Sequence, residues 1–430
     1  MNRFLAPNRA HAVRAVGALA ATAVLILVAP LARAQTSPLT LDAAIQSGEA
    51  RSTRIAAQSA AVTAAGELVE RAARLPDPKL SFGIENLPVS GPDAWQYNTD
   101  FMTMRRIGIA QDFVNSEKRK ARGELAARLR DVESANLDAQ RAQLRQEIAI
   151  AWFDAVYAER GRELAAQLVG EFATEVDTLG AAVAGGRMSA AQAIAARSQL
   201  ESAKDRVLDQ ERLARRARIM LAAFLGETAE RPLAAPPDTS RLPYAGENIL
   251  KVLEHHPVLR TYRSREALAT SDVALAESTR RSDWGVELAY GQRSPNFSNM
   301  LTLMFRVDLP IDKANRQDRD VASKLALVEQ ARAQAEDAGR MHEAEVRGVI
   351  ADWETAQRRV ERYDATLVPL ARERTAAALA AYRGGRGELG PVLEARRAEI
   401  ETGIGQLGVE LERAKAWSRL VYLTLDEHRP

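Results

Sequence analysis

Apolar and polar residues alternate in four stretches of the chain. In KLSFGIENL, residues 79–87, Leu80, Phe82 and Ile84 share one face. Trp284, Val286, Leu288 and Tyr290 alternate in the same way, as do Leu301, Leu303, Phe305, Val307 and Leu309. The fourth stretch, FMTMRRIGIAQDF at 101–113, places Met102 and Met104 in one phase and Ile107 and Ile109 in the other. That slip predicts a bulge at Arg105-Arg106. A period of two predicts strands, and about 9–11 residues suffice for a tilted strand to cross an outer membrane. The segments between members of each pair, PVSGPDAWQYNTD and GQRSPNFSN, carry the Gly, Pro, Asn and Ser of surface loops.

Elsewhere the period is helical. No proline falls between Pro92 and Pro232 or between Pro310 and Pro369, and these segments are rich in Ala, Glu, Arg, Gln and Leu. Val346, Ile350, Trp353, Val360 and Leu367 recur at steps that form one apolar seam. A helix over 116–184 would be on the order of 100 Å long at 1.5 Å per residue. Such a length suits a coiled-coil bundle in which alanines let backbones approach closely.

These patterns occur twice. AGGRMSAAQAIAARSQLE, 184–201, resembles the stretch AYRGGRGELGPVLEARRAEI, 381–400, with Gly185 on Gly384, Arg187 on Arg386, Ala196 on Ala395 and Arg197 on Arg396, all 199 apart. SFGIE at 81–85 matches DWGVE at 283–287 at nearly the same offset. A period near 200 residues reads as a duplication, not a solenoid. The expected organisation is a first repeat over 35–226, a proline-rich connector over 227–248 and a second repeat over 249–430.

Residues 1–34 read as a secretory leader. Arg3, Arg9 and Arg14 precede an apolar run from Val16 to Val28, and Ala32-Arg33-Ala34 forms a small-x-small cleavage site. The run is short for a membrane anchor. Gln35 follows the site, so no lipid-bearing cysteine is placed there. Removing the leader's four arginines leaves 55 basic against 57 acidic residues, a net charge of −2. The apparent basic excess vanishes, and with it any electrostatic case for nucleic acid. The chain has no cysteine, which rules out disulfides and thiolate metal sites.

A leader, four strands of membrane-crossing length and very long helices constrain the assembly. Four strands cannot close a barrel, and open edges in lipid would leave N–H and C=O groups unpaired. Three copies in cyclic symmetry would supply twelve strands. The expected fold class is mainly α with a small β part: long antiparallel helices forming an α-barrel, and four strands per protomer building a 12-stranded barrel in a trimer. A soluble antiparallel sheet packed on helices is the alternative, and it leaves the leader and the helix lengths as coincidences.

Other signals are weak. Gly385-x-Gly387-x-x-Gly390 spells a dinucleotide fingerprint, but a helix precedes it and Pro391 follows. No cofactor and no catalytic site are expected. His255-His256-Pro257 and His342-Glu343 lack the spacing of a metal or protease motif, and four histidines (His255, His256, His342, His428) outlast the leader. Met102 and Met104, and likewise Met300 and Met304, share strand phases; thioethers bind soft metals but also fill barrel walls.

The sequence resembles the TolC-type outer-membrane efflux family over essentially all of 39–427. The specific residues are Tyr382, Gly385, Leu393 and Ala395 of a Tyr-x-x-Gly-x7-Leu-x-Ala pattern, LPDPKLSFGIEN at 75–86, and LVPLARERTAAALAAYRGG at 367–385 with its mid-helix Pro369. The segments 85–113 and 297–322 look most like the branch serving heavy-metal cation efflux. The resemblance implies a homotrimeric conduit in outer-membrane lipid that extends into the periplasm. Its implied partners are a periplasmic adaptor (membrane fusion) protein and an inner-membrane pump of the resistance-nodulation-division type.

It also implies roles for residues. Gly185, Gly186, Arg187, Gly384, Gly385, Arg386 and Gly387 fall at the periplasmic turns where an adaptor docks, with glycine supplying backbone angles closed to other residues. Glu394 falls at an acidic constriction, while Pro391 stands where a second acid is frequent. Three copies of Glu394 would favour cations. Arg197 and Arg396 could pair with carboxylates of neighbouring helices and hold the tip shut. The rival readings are a drug-efflux or type I secretion duct, and a soluble periplasmic coiled-coil adaptor.

Overall fold

The computed structural model describes residues 37–177, 183–185, 188–242 and 256–423. Residues 1–34, where a leader is expected, together with Gly186, Arg187, His255 and His428, lie outside them. Residues from Pro38 onward form one compact unit.

Helix α1 spans Leu41–Arg51 and α2 Thr53–Ala72, capped by the side chains of Thr40 and Ser52. Strands β1 (Lys79–Glu85) and β2 (Met104–Phe113) follow. Helix α3 then runs unbroken over Ser116–Asp177, 62 residues or about 93 Å. Helix α4 spans Ala190–Leu225 and ends in a 3-10 turn at Gly226–Glu230. The second half repeats the order with α5 (Pro257–Ser278), β3 (Trp284–Arg293), β4 (Met300–Val307), α6 (Gln317–Arg362), α7 (Val368–Arg383) and α8 (Leu389–Val421).

A single π turn, Tyr363–Leu367, separates α6 from α7, and the Val368 N–H reaches back to the Tyr363 carbonyl. Its cause is two residues further on. Pro369 has no N–H to donate and its ring crowds the preceding turn, so widening that turn lets the helix continue.

The strands form one antiparallel sheet in the order β1-β2-β3-β4. Their helices pack in the same order, α2 on α3, α3 on α5 and α5 on α6, so each strand continues into a helix of the same wall. Pairing runs without interruption through Ile84↔Arg105, Gly83↔Arg106 and onward to Phe113↔Trp284. The bulge expected at Arg105-Arg106 is absent. Met104 lies on the same face as Arg106, Gly108 and Ala110, so the alternation never changes phase; an apolar residue merely occupies the otherwise polar face. Met102 precedes the strand and shares no strand face with Met104.

Three apolar clusters hold the helices. The first gathers Leu39, Ile148, Trp152, Phe153, Leu221 and Leu225, with the Trp152 indole donating to the Leu39 carbonyl at 3.1 Å. Leu39 also pairs with Leu233, which ties the start of the first half to the connector. The second joins Phe172, Val176, Leu200, Val392, Leu393 and Ile400 at the far end of the long helices. The third holds Val346, Val349, Ile350 and Trp353 of the α6 seam against Leu259, Ala416 and Leu420. Ala149, Ala155, Ala196, Ala395 and Ala414 are buried, the small side chains that close helix packing needs.

Candidate functional site

The sheet has two chemically opposite faces, and the register fixes them. On one face Leu80, Ile109, Leu288 and Leu303 stand in a single row across all four strands. Phe82, Ile107, Tyr290 and Leu301 form the next row, and Phe113, Trp284 and Val307 the row at the helix end. Phe113 and Trp284 stack with ring centroids 4.2 Å apart. These side chains have nothing over them; exposure reaches 83% at Phe82 and 73% at Leu301. An apolar surface of this size is solvated by lipid, not water. From Trp284 to Tyr290 it extends about 20 Å along the strand at about 3.4 Å per residue. Its far edge is polar, where Arg105 sits beside Gln292, as expected at headgroup depth. Among the described residues no helix is long and apolar enough to cross a membrane.

The opposite face is small and charged. One row is Ser81, Gly108, Ala289 and Thr302. Arg106 lies flat over this row and reaches Glu287 at 2.7 Å, and Glu287 also takes Arg306 at 2.9 Å. Arg106 stands 3.5 Å from Glu85, and Lys79 bonds Asp112 at 2.7 Å. The row beneath must be small: a Cβ on Gly108 would come within 2.9 Å of the Ala289 Cβ. Met104, Met300 and Met304 share this face. Sequence reasoning left these charged groups unassigned, although Arg106, Glu287 and Arg306 all fall in the phase opposite to the apolar residues.

At the other end of the long helices lie the two turns. Helix α7 closes with a Schellman motif: the Arg386 N–H bonds the Ala381 carbonyl at 3.0 Å and the Gly385 N–H bonds that of Tyr382 at 3.0 Å. Gly385 sits at φ +67° with open space where a side chain would project. Left-handed backbone is confined to Gly385 in this turn. Gly384 has φ −79°, so it does not use the freedom expected of it. Gly387 is constrained by space instead, since a Cβ there would meet the Ala381 Cβ at 3.1 Å. Pro391 occupies the first turn of α8, where its missing N–H is harmless.

In the first turn, Gly185 is exposed. Ser189 opens α4 with a capping box: its hydroxyl accepts the Gln192 N–H, and the Gln192 side chain accepts the Ser189 N–H. The Ser-x-x-Gln spacing was the readable signal for that cap.

Arg396 is nearly buried, its side chain 11% exposed, and it gathers three carboxylates. It bonds Glu175 at 2.5 Å, Glu171 at 3.3 Å and Glu399 at 3.1 Å. Glu171 and Glu175 belong to α3, and Glu399 to α8 itself. Arg197 is exposed and makes no ion pair among the described residues. Glu394 is also exposed, with Arg374 3.9 Å away, and the adjacent Ala395 is fully buried.

His256 serves as a helix cap for α5, its Nδ1 accepting the Val258 N–H at 3.2 Å, with Pro257 in the first turn. Its ring lies 4.1 Å from that of His342, and burial first, then His342, pushes its pKa down to about 3. No group of three or more His, Asp or Glu side chains among the described residues is placed to hold a metal ion.

Four strands with an apolar and a polar face, two open edges and a helix of about 93 Å define a fold of the TolC outer-membrane channel type, in which threefold closure would give twelve strands. Similarity to known proteins agrees. The chain is 23% identical over 414 residues to the cobalt-zinc-cadmium resistance protein CzcC of Cupriavidus metallidurans, covering 94% of this chain and 93% of that one. A membrane protein from Pseudomonas aeruginosa matches with a TM-score of 0.77 at 16% identity over 89% of this chain and 92% of its own. CusC, described for the conformational changes that accompany folding and transmembrane channel formation, gives 0.77 at 15% over 90% and 92%. The open state of the Neisseria gonorrhoeae MtrE outer membrane channel gives 0.72 at 18% over 89% and 88%. No protein-family model matches the chain.

Proposed function

We propose that the protein is the outer-membrane channel of a tripartite efflux system, and that its cargo is heavy-metal cations. The observation that carries the channel reading is the register of the sheet, which sorts fourteen apolar side chains onto one face and every ion pair between strands onto the other. A soluble sheet has no use for an uncovered apolar face of that kind. The cargo reading is supported by the end-to-end likeness to a cobalt-zinc-cadmium resistance protein.

Substrate enters from a periplasmic adaptor and an inner-membrane pump of the resistance-nodulation-division type, which supplies the energy. The adaptor docks at the turns bearing Gly185, Gly186, Arg187 and Gly384 to Gly387. Gly384 to Glu388 are all exposed, so an adaptor hairpin can reach the backbone. Glu394 and the two arginines Arg197 and Arg396 lie at the channel's narrowing. The two halves correspond to repeats of about 200 residues on either side of the connector.

The test is deletion of the gene followed by growth on graded cobalt, zinc, cadmium, copper and silver. Sensitivity to one or more ions, reversed by the plasmid-borne gene, is expected. Sensitivity confined to dyes and detergents would overturn the cargo assignment and favour a drug-efflux duct.

A further inference from the structure

The barrel wall carries charge of its own, far from the periplasmic turns. Between the first and last paired rows, the inward face bears four cations (Lys79, Arg106, Arg293, Arg306) and three carboxylates (Glu85, Asp112, Glu287). Every one of those carboxylates has a cation partner. Glu287 has two, and only 12% of its side chain is exposed between them. The cations are in excess: Arg306 shares Glu287 with Arg106, and Arg293 has no carboxylate among the described residues. The Arg306 side chain is 58% exposed. Arg293 donates to the Phe101 and Ser298 carbonyls and lies over the Phe297 ring at 5.0 Å.

We infer that this wall is an ion-discriminating element that favours small anions at the outer-membrane end of the pore. The inference rests on the channel reading above. Each protomer contributes one excess positive charge, and threefold closure repeats it around the lumen. The wall is made of strands with lipid behind them, a low-dielectric surround that strengthens the field of fixed charges. The row Ser81, Gly108, Ala289 and Thr302 adds no bulk to hold ions away from it. Within those rows a metal cation meets no carboxylate without a partner. It leaves with chloride or another small anion concentrated at the wall.

Single-channel recording of purified trimers in planar bilayers, with a KCl gradient, tests this. The wild-type permeability ratio of chloride to potassium is expected above one. Arg306→Gln leaves Glu287 paired with Arg106 and should lower the ratio about twofold. Glu287→Gln removes a negative charge and should raise it. The Arg306→Gln shift should persist in a Glu394→Gln background, which separates the barrel from the periplasmic narrowing. Conducting channels whose ratio is the same in wild type and both variants would overturn the inference and leave the channel reading intact. Folded trimers that never conduct would overturn the channel reading, and this inference with it.

Discussion

Arg396 on α8 and Glu175 on α3, 221 positions apart, are joined by two hydrogen bonds, from Nη2 at 2.5 Å and from Nε at 3.2 Å. The Arg396 guanidinium is held more firmly protonated than usual, first by the Glu175 bond and then against the cost of burial. Glu171 and Glu399 complete a set of three carboxylates around one cation.

Arg396→Gln should therefore do more than remove a contact. Glu399, 11% exposed, would stay largely buried without its cation, which costs about 2–3 kcal/mol where burial is incomplete. We expect a lower melting temperature, and brief channel openings in bilayers more often than in wild type. A variant with unchanged melting and gating would show that the cluster does not fasten the two helices.

Gly385→Trp separates docking from folding. The position has open space, so the ring would project outward, while the left-handed backbone costs about 1–2 kcal/mol. Trimers should still form in the outer membrane, and metal export should be lost. Normal export would remove this turn from the docking surface.

The sheet's two faces predict opposite responses to the same substitution. Ile109 lies in the middle apolar row, so Ile109→Arg should cost about 2–4 kcal/mol in the bilayer and sharply reduce mature trimer. Met304→Arg, on the other face opposite Glu287, should be tolerated. Equal yields of the two in outer-membrane fractions would contradict the orientation of the wall.

His256 gives the protein an acid-sensitive joint. Its folded pKa, about 3, lies below its ordinary 6.5, so on acidification the unfolded chain takes up the proton first. The stability that this neutral cap contributes is complete above pH 6.5 and is lost as pH falls towards 3. The slope approaches about 1.4 kcal/mol per pH unit. His256→Asn, which can still cap α5, should flatten the melting temperature between pH 7 and pH 5. An identical pH profile in the variant would point to other groups.

The long helices and the four strands were readable because their signals are local: proline spacing, composition and a period of two. The turn at Gly385 was readable too, although glycine count alone overstated it, since Gly384 has an ordinary φ and Gly387 is there for reasons of space. Arg105-Arg106 misled because alternation was judged by hydropathy, and Met104 is an apolar residue on the polar face. The ion pairs of the wall were out of reach for a different reason. Arg106 and Glu287 are 181 positions apart, and only the register of β2 on β3 brings them together.

The open edges of β1 and β4 bear on inheritance. In a closed ring each subunit mends two neighbours, so a single subunit unable to offer its β4 edge spoils the whole assembly. With equal expression of an edge-defective allele and the wild type, only one ring in eight would be built from sound subunits alone, given random threefold mixing. Such an allele is dominant, and merodiploid cells would display the resistance defect that a simple null allele conceals.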